Sequence, residues 1–74
     1  MGAPISNRIR ELRFHHNEMS QAELGQRIGV TRQTVAAIES EKYSPSLEAA
    51  FRIAHVFGVQ LDDVFQWNPL VSMR

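Results

Sequence analysis

A chain of 74 residues with no cysteine and a formal net charge of zero is confined to a narrow set of roles. The length allows one small domain, of a size that buries only about 60% of its unfolded surface, so the core is thin. Lack of cysteine excludes disulfides and thiolate zinc sites, and balanced charge argues against a partner held by bulk electrostatic attraction, such as nonspecific nucleic acid. The opening stretch MGAPISNRIR carries no signal-peptide run, and no apolar segment approaches the roughly 18 residues of a membrane span. These features lead to the expectation of a cytoplasmic protein. Residues 1–4 read in part as a cloning remnant.

Ser6 is placed to cap a first helix, in which Ile5, Ile9 and Leu12 recur at spacings of four and three. Arg8, Arg10 and Arg13 lie mostly off that stripe, and the helix is expected to fade near 15–17. Ser20 opens a second helix and, with Glu23 three residues on, has the spacing of a capping box. Leu24 and Ile28 face inward, and Gly29 ends the helix by taking a left-handed conformation. Thr31 caps a third helix, roughly Arg32 to Ser40, with Val35 and Ile38 inside. The segment EKYSPS interrupts, because Pro45 disfavours helix at Ser44, and Ser46 caps a fourth helix from Leu47 to Phe57. Its spacing predicts that Leu47, Ala50, Phe51 and Ala54 face inward, extended by Ile53 and Phe57. Beyond Gly58 a short fifth helix runs from Leu61 to Phe65, and the tail QWNPLVSMR reads as extended. No strand-period run precedes the tail. The fold class is therefore all-α, a compact bundle of five helices with an extended C-terminal tail, divided into residues 5–67 and a tail of 68–74.

Gly25 lies inside the second helix, where glycine costs about 1 kcal/mol relative to alanine. Two helices joined by about four residues cross steeply. A missing Cβ near the middle of the first of them permits close approach, and Val30 plugs the angle between them. A plain αα-hairpin with no partner would place its glycines in the same way.

The stretch SQAELGQRIGVTRQTVAAIES, followed by KYSPSLEAAFRIAHVFGVQLDDVF, resembles the XRE family of bacterial helix-turn-helix regulators, which share the fold of the phage lambda-type repressor and Cro domains. The resemblance covers residues 5 to 67. It rests on glycines at 25 and 29, apolar residues at 24, 28, 30, 35 and 38, and polar residues at 31 to 34. It implies a lambda repressor-like fold, a homodimer on double-stranded DNA, and control of transcription. In that geometry the third helix enters the major groove with its N-terminal residues leading. Arg32 could then donate to guanine, Gln33 could match adenine or bond a phosphate, and Thr34 suits a phosphate or a thymine methyl. Ala37 can make only apolar contact, a departure from relatives with a long polar side chain there. The backbone contacts implied are Gln21 at a helix N-terminus, Thr31 beside its capping role, and Lys42, Tyr43 and Ser44 after the recognition helix. The resemblance also pairs Arg13 with Glu39, a carboxylate otherwise facing the negative end of its own helix.

Plainer readings stand beside these. Arg32 and Gln33 could be an ordinary solvated face, Lys42 a surface lysine, Gln21 merely a good helix former, and Tyr43 a lid on the core. Phe14 is a candidate core residue. His15, His16 and His55 do not suggest a metal site and are expected to face solvent or a helix C-terminus. Trp67, Leu70 and Val71 either form a dimer contact, or Trp67 closes its own core. No cofactor or small-molecule ligand is implied, and no nucleophile elbow or metal motif suggests an enzyme. The expected function is a sequence-specific DNA-binding regulator, a repressor on a short palindromic operator. The alternative is a protein-interaction module, such as an antitoxin or adaptor, on the same fold.

Overall fold

In a computed structural model, residues 4–69 are described. The elements run β1 (Ile5–Asn7), α1 (Ile9–Phe14), α2 (Gln21–Ile28), α3 (Arg32–Glu39), α4 (Leu47–Phe57), α5 (Leu61–Val64) and β2 (Phe65–Trp67). Helices α2, α3 and α4 lie where the apolar spacing puts them, with α4 matching at both ends, while α1 and α5 are shorter than expected. The class is nevertheless not purely helical among the described residues. β1 and β2 form an antiparallel pair, with Ile5 opposite Trp67, Ser6 opposite Gln66 and Asn7 opposite Phe65. Three-residue strands leave no readable alternation, and these two lie at opposite ends of the domain. Ile9 and Val64, each next to one of the strands, are buried in the same core, and the Arg8 N–H extends the pairing to the Val64 carbonyl at 2.8 Å.

That sheet corrects the first helix. Ile5 and Ser6 belong to β1, so Ser6 does not cap α1. The first turn is served by Asn7, whose Oδ1 accepts from the Ile9 N–H at 3.2 Å. Phe65 likewise belongs to β2 rather than to the fifth helix. The capping box at α2 is half made. Ser20 Oγ accepts from the Glu23 N–H at 2.9 Å, but the Glu23 carboxylate turns to Arg27 at 2.8 Å. An exposed pair on α1 joins Arg8 to Glu11, and the Arg8 guanidinium holds the Glu11 carboxyl below its ordinary range.

The core joins Ile9 and Met19 to Leu24 and Ile28 of α2, Val35 and Ile38 of α3, Ile53, Ala54 and Phe57 of α4, and Val64 of α5. Met19, in the α1–α2 connection, was not among the expected core residues. Phe14 is exposed, its edge against the His15 ring at 5.4 Å. His16, by contrast, is half-buried on Phe57 at 4.9 Å between ring centroids, and its Nδ1 lies 2.9 Å from the Leu12 carbonyl at the C-terminal end of α1, the second of the two expected places. On α4 the inward face is Ala50, Ile53, Ala54 and Phe57. Phe51 stands about 100° round the helix from Ala50 and is 54% exposed, while Leu47, at the open end of the helix, is 69% exposed. The spacing of three and four was right for the helix but too generous about the width of its buried face.

A methyl group at Gly25 would sit 2.7 Å from the Val30 carbonyl oxygen and 3.2 Å from the Thr31 carbonyl carbon. The close approach is therefore to the backbone of the turn, not to the body of α3. Gly29 follows with φ +83°, and the Gly25 carbonyl accepts from both the Gly29 and Val30 amides at 2.8 and 2.9 Å.

α3 ends in a Schellman arrangement. The Lys42 N–H reaches the Ala37 carbonyl at 2.9 Å, and the Glu41 N–H reaches that of Ile38 at 3.0 Å. Glu41 occupies the left-handed position, φ +64°, that glycine usually takes. Substituting Glu41→Gly should relieve that conformation and raise stability by about 0.5–1 kcal/mol, a rise of a few degrees in melting temperature. Gly25→Ala should do the reverse. The turn backbone must move, at a loss of about 1–3 kcal/mol that outweighs the better helix propensity of alanine; thermal melts of both variants check the pair.

Candidate nucleic-acid interface

The N-terminal turn of α3 begins at Thr31, which is extended (φ −80°, ψ 163°) and accepts from the Thr34 N–H at 3.1 Å. The two threonine hydroxyls also lie 3.0 Å apart. This double link anchors the half-buried Thr34 and leaves Arg32 and Gln33 as the exposed pair of the turn. Ala37, the other residue assigned to base contact, is half-buried one turn further on. Arg32 has no carboxylate within ion-pair distance among the described residues, and the same holds for Lys42 and Arg10. An unpaired, exposed guanidinium at a helix N-terminus gains nothing from the helix dipole, because both are positive. Its field is therefore open to an anion or to a base edge.

Past α3, the left-handed Glu41 turns the chain so that Lys42, Tyr43 and Ser44 run exposed beside it. Tyr43 is 55% exposed and does not cover the core. Gln21 is different. It is half-buried at the first position of α2, and its Nε2 donates to Glu39 Oε1 at 3.1 Å. One amide hydrogen is thereby committed inward. What Gln21 retains for an anion is its backbone N–H, among the free amides of the first turn, and the second hydrogen of Nε2.

Glu39 is the node beneath this surface. Arg13 donates to it twice, Nε to Oε2 at 2.6 Å and Nη2 to Oε1 at 3.0 Å, and Arg13 Nη1 donates to the Met19 carbonyl at 2.8 Å. The two side chains are only 15% and 10% exposed. One carboxylate thus ties α1, the α1–α2 connection and the start of α2 to the end of α3. A bidentate pair with a third guanidinium donor on a backbone carbonyl has the geometry under which a desolvated ion pair is tolerated.

Asn7 was missed in the sequence, where an asparagine before a helix signals only a turn or a cap. Its Nδ2 donates to the Ile38 carbonyl at 2.9 Å, joining β1 to the last turn of α3. Trp67 is 62% exposed, so it does not close the core. It borders a shallow groove of about 320 Å³ with Ile5, Leu61 and Phe65. Leu70 and Val71 lie outside the described residues. The other pockets are small or open, and no helix among the described residues is long and apolar enough to cross a membrane.

A family model described as helix-turn-helix matches residues 9–64, which run from the start of α1 to the end of α5. The chain belongs to the XRE-type helix-turn-helix family. Members of this family bind DNA and are not enzymes. The chain is 46% identical over 61 residues to an uncharacterized HTH-type transcriptional regulator of Methanocaldococcus jannaschii, covering 82% of this chain and 91% of that one. It is 48% identical over 61 residues to the uncharacterized HTH-type transcriptional regulator YgzD of Bacillus subtilis, with 82% and 91% covered. A third such regulator, of Archaeoglobus fulgidus, is 47% identical over 61 residues, with 82% and 84% covered. Within this helix-turn-helix unit, α2 and α3 are the pair, and Gly29 to Thr31 is the turn.

Removing one side of the buried pair should be severe. Glu39→Ala is expected to lose about 3 kcal/mol, because it strands the Arg13 guanidinium, whereas replacing both by apolar residues of similar volume should recover most of that loss. Urea denaturation of the single and double variants measures both.

Proposed function

We propose that this chain is a sequence-specific, double-stranded DNA-binding regulator of transcription, with residues 5–67 as the lambda repressor-like DNA-binding unit. It works in the cytoplasm as a repressor, as a homodimer on a short palindromic operator. The observation that carries the reading is the exposed, unpaired Arg32 beside Gln33 on the leading turn of α3. The other end of α3 is held by the Arg13–Glu39 pair. Laid in the major groove, it brings Arg32 and Gln33 to base edges, and Ala37 to a thymine methyl. Thr34 contributes its methyl group, since its hydroxyl is shared with Thr31. Lys42, Tyr43, Ser44 and the first amides of α2 at Gln21 then meet phosphates on either side, which sets register without reading sequence. Zero net charge fits a binder that relies on a few placed contacts and on two copies. Trp67, together with Leu70 and Val71, supplies apolar surface for the second copy.

A second reading, a protein-interaction module such as an antitoxin or adaptor, is favoured by the exposed Leu47, Phe51 and Trp67. Selection of bound duplexes from a random pool separates the two. Recovery of a palindrome with half-site centres about 34 Å apart supports the regulator; failure to retain any duplex at low salt, with a partner protein co-purifying, supports the module.

On the selected operator, Arg32→Ala should weaken binding by about 1–3 kcal/mol and relax preference at one position of each half-site. Lys42→Ala should weaken all duplexes alike and lower the slope of log affinity against log salt by about 1 per protomer. Binding isotherms over a salt series distinguish the two patterns.

A further inference from the structure

We propose that Asn7 is a positioning residue for the DNA-reading surface. It acts as a bracket from the terminal sheet that fixes the angle of α3, so that Arg32 and Gln33 meet base edges in register. The inference rests on the DNA-binding reading given above. Asn7 is held on its own side by three restraints, two of backbone pairing and one through its side-chain oxygen. It sits opposite Phe65 in the sheet, the neighbouring Arg8 N–H bonds the Val64 carbonyl, and its Oδ1 accepts from the Ile9 N–H. From that fixed base Nδ2 reaches the Ile38 carbonyl at 2.9 Å. Among the described residues it is the one side-chain hydrogen bond from the sheet to α3.

The carbonyl it takes matters. Ile38 O already accepts from the Glu41 N–H, and that bond holds the left-handed turn which directs Lys42 away from the helix end. Asn7 occupies the remaining lone pair, so one side chain bears on both the helix and the segment assigned to the phosphates. Glu39, the next residue, is gripped by Arg13 and Gln21. With the Glu39 anchor alone, the last turn of α3 would resist tilting only through the core contacts of Val35 and Ile38 and the turn at its other end. A second anchor at the adjacent residue, from a different element, opposes that rotation. The lever is long enough for this to count. Arg32 lies six residues from Ile38, about 9 Å along the axis, so a tilt of about 10° displaces it by about 1.6 Å. Direct readout tolerates far less, since hydrogen bonds hold heavy atoms within a few tenths of an ångström of about 2.9 Å. Backbone phosphate contacts, made by long or mobile groups, tolerate more.

The test uses Asn7→Ser, which keeps a short oxygen able to serve the Ile9 amide but cannot reach Ile38. Val56→Ala, on α4 and packed against the core away from α3, is the control for general loss of stability. Affinities are measured for the selected operator and for an unrelated duplex, at a temperature where circular dichroism finds every variant folded. Asn7→Ser should bind the operator about tenfold more weakly while its affinity for the unrelated duplex changes less than about twofold, and Val56→Ala should match the parent on both. Equal loss on the two duplexes, no loss on either, or the same loss in Val56→Ala overturns the proposal. Should the parent itself bind no duplex, the DNA-binding reading fails separately, and amide exchange decides the bracket. Exchange at Glu41 and Lys42 faster by about tenfold in Asn7→Ser, but not in Val56→Ala, supports it; unchanged exchange overturns it.

Discussion

The arrangement of α2 and α3 depends on a backbone-to-backbone approach at Gly25. The Val30 carbonyl oxygen stands where any side chain at 25 would begin. That proximity is what lets the connection from Gly29 to Thr31 be so short and lets Val30 pack against the core. A glycine in the interior of a helix gives up local stability. Here it is set against a turn tight enough to hold α3 at one distance from α2. Every residue assigned to DNA lies on α3, at the start of α2, or in the segment that α3 releases, so all of them inherit their places from that approach.

A core of this size cannot supply rigidity by bulk. Small domains bury a modest share of their surface, and the apolar residues here form a single layer between α2, α3, α4 and the terminal elements. Polar contacts therefore do much of the orienting. Among the described residues no buried side-chain nitrogen or oxygen lacks a partner. Glu39 collects Arg13 and Gln21, Asn7 collects Ile38, and Arg52 reaches the Ile28 carbonyl at the end of α2 while pairing with Glu48. Hydrogen bonds are directional where hydrophobic contact is not. In a thin domain they set angles that packing leaves soft. α3 is accordingly held by polar struts attached to its last turn, while its first turn projects outward.

Much of this was legible from residue order, and the parts that were not share a cause. The helices could be read because caps and apolar spacing are local signals: Ser20, Thr31 and Ser46 each bond the amide three residues on. Exposure of Arg32 and Gln33 followed from the same spacing, since Val35 and Ile38 claim the inner face. The sheet was not legible, because pairing of Ile5–Asn7 with Phe65–Trp67 joins segments about 58 residues apart with three residues each. The role of Asn7 was hidden with it, as was the inward turn of the Gln21 amide. Phe14, Leu47 and Phe51 were misjudged because the pattern tells which way a residue points, not whether anything lies there to cover it.

By itself, then, the order of residues determined the three central helices, their caps, the glycine turn and the family, because each is written in neighbours within a few positions. Tertiary structure decided what those helices are braced against: a sheet from the two ends of the domain, a carboxylate shared by three elements, and an asparagine on a carbonyl 31 residues away. The division has a plain physical origin. Local backbone preferences and capping bonds act within one or two turns of chain. The angle at which a helix meets its surroundings is set by contacts between groups that come together only after the chain has folded.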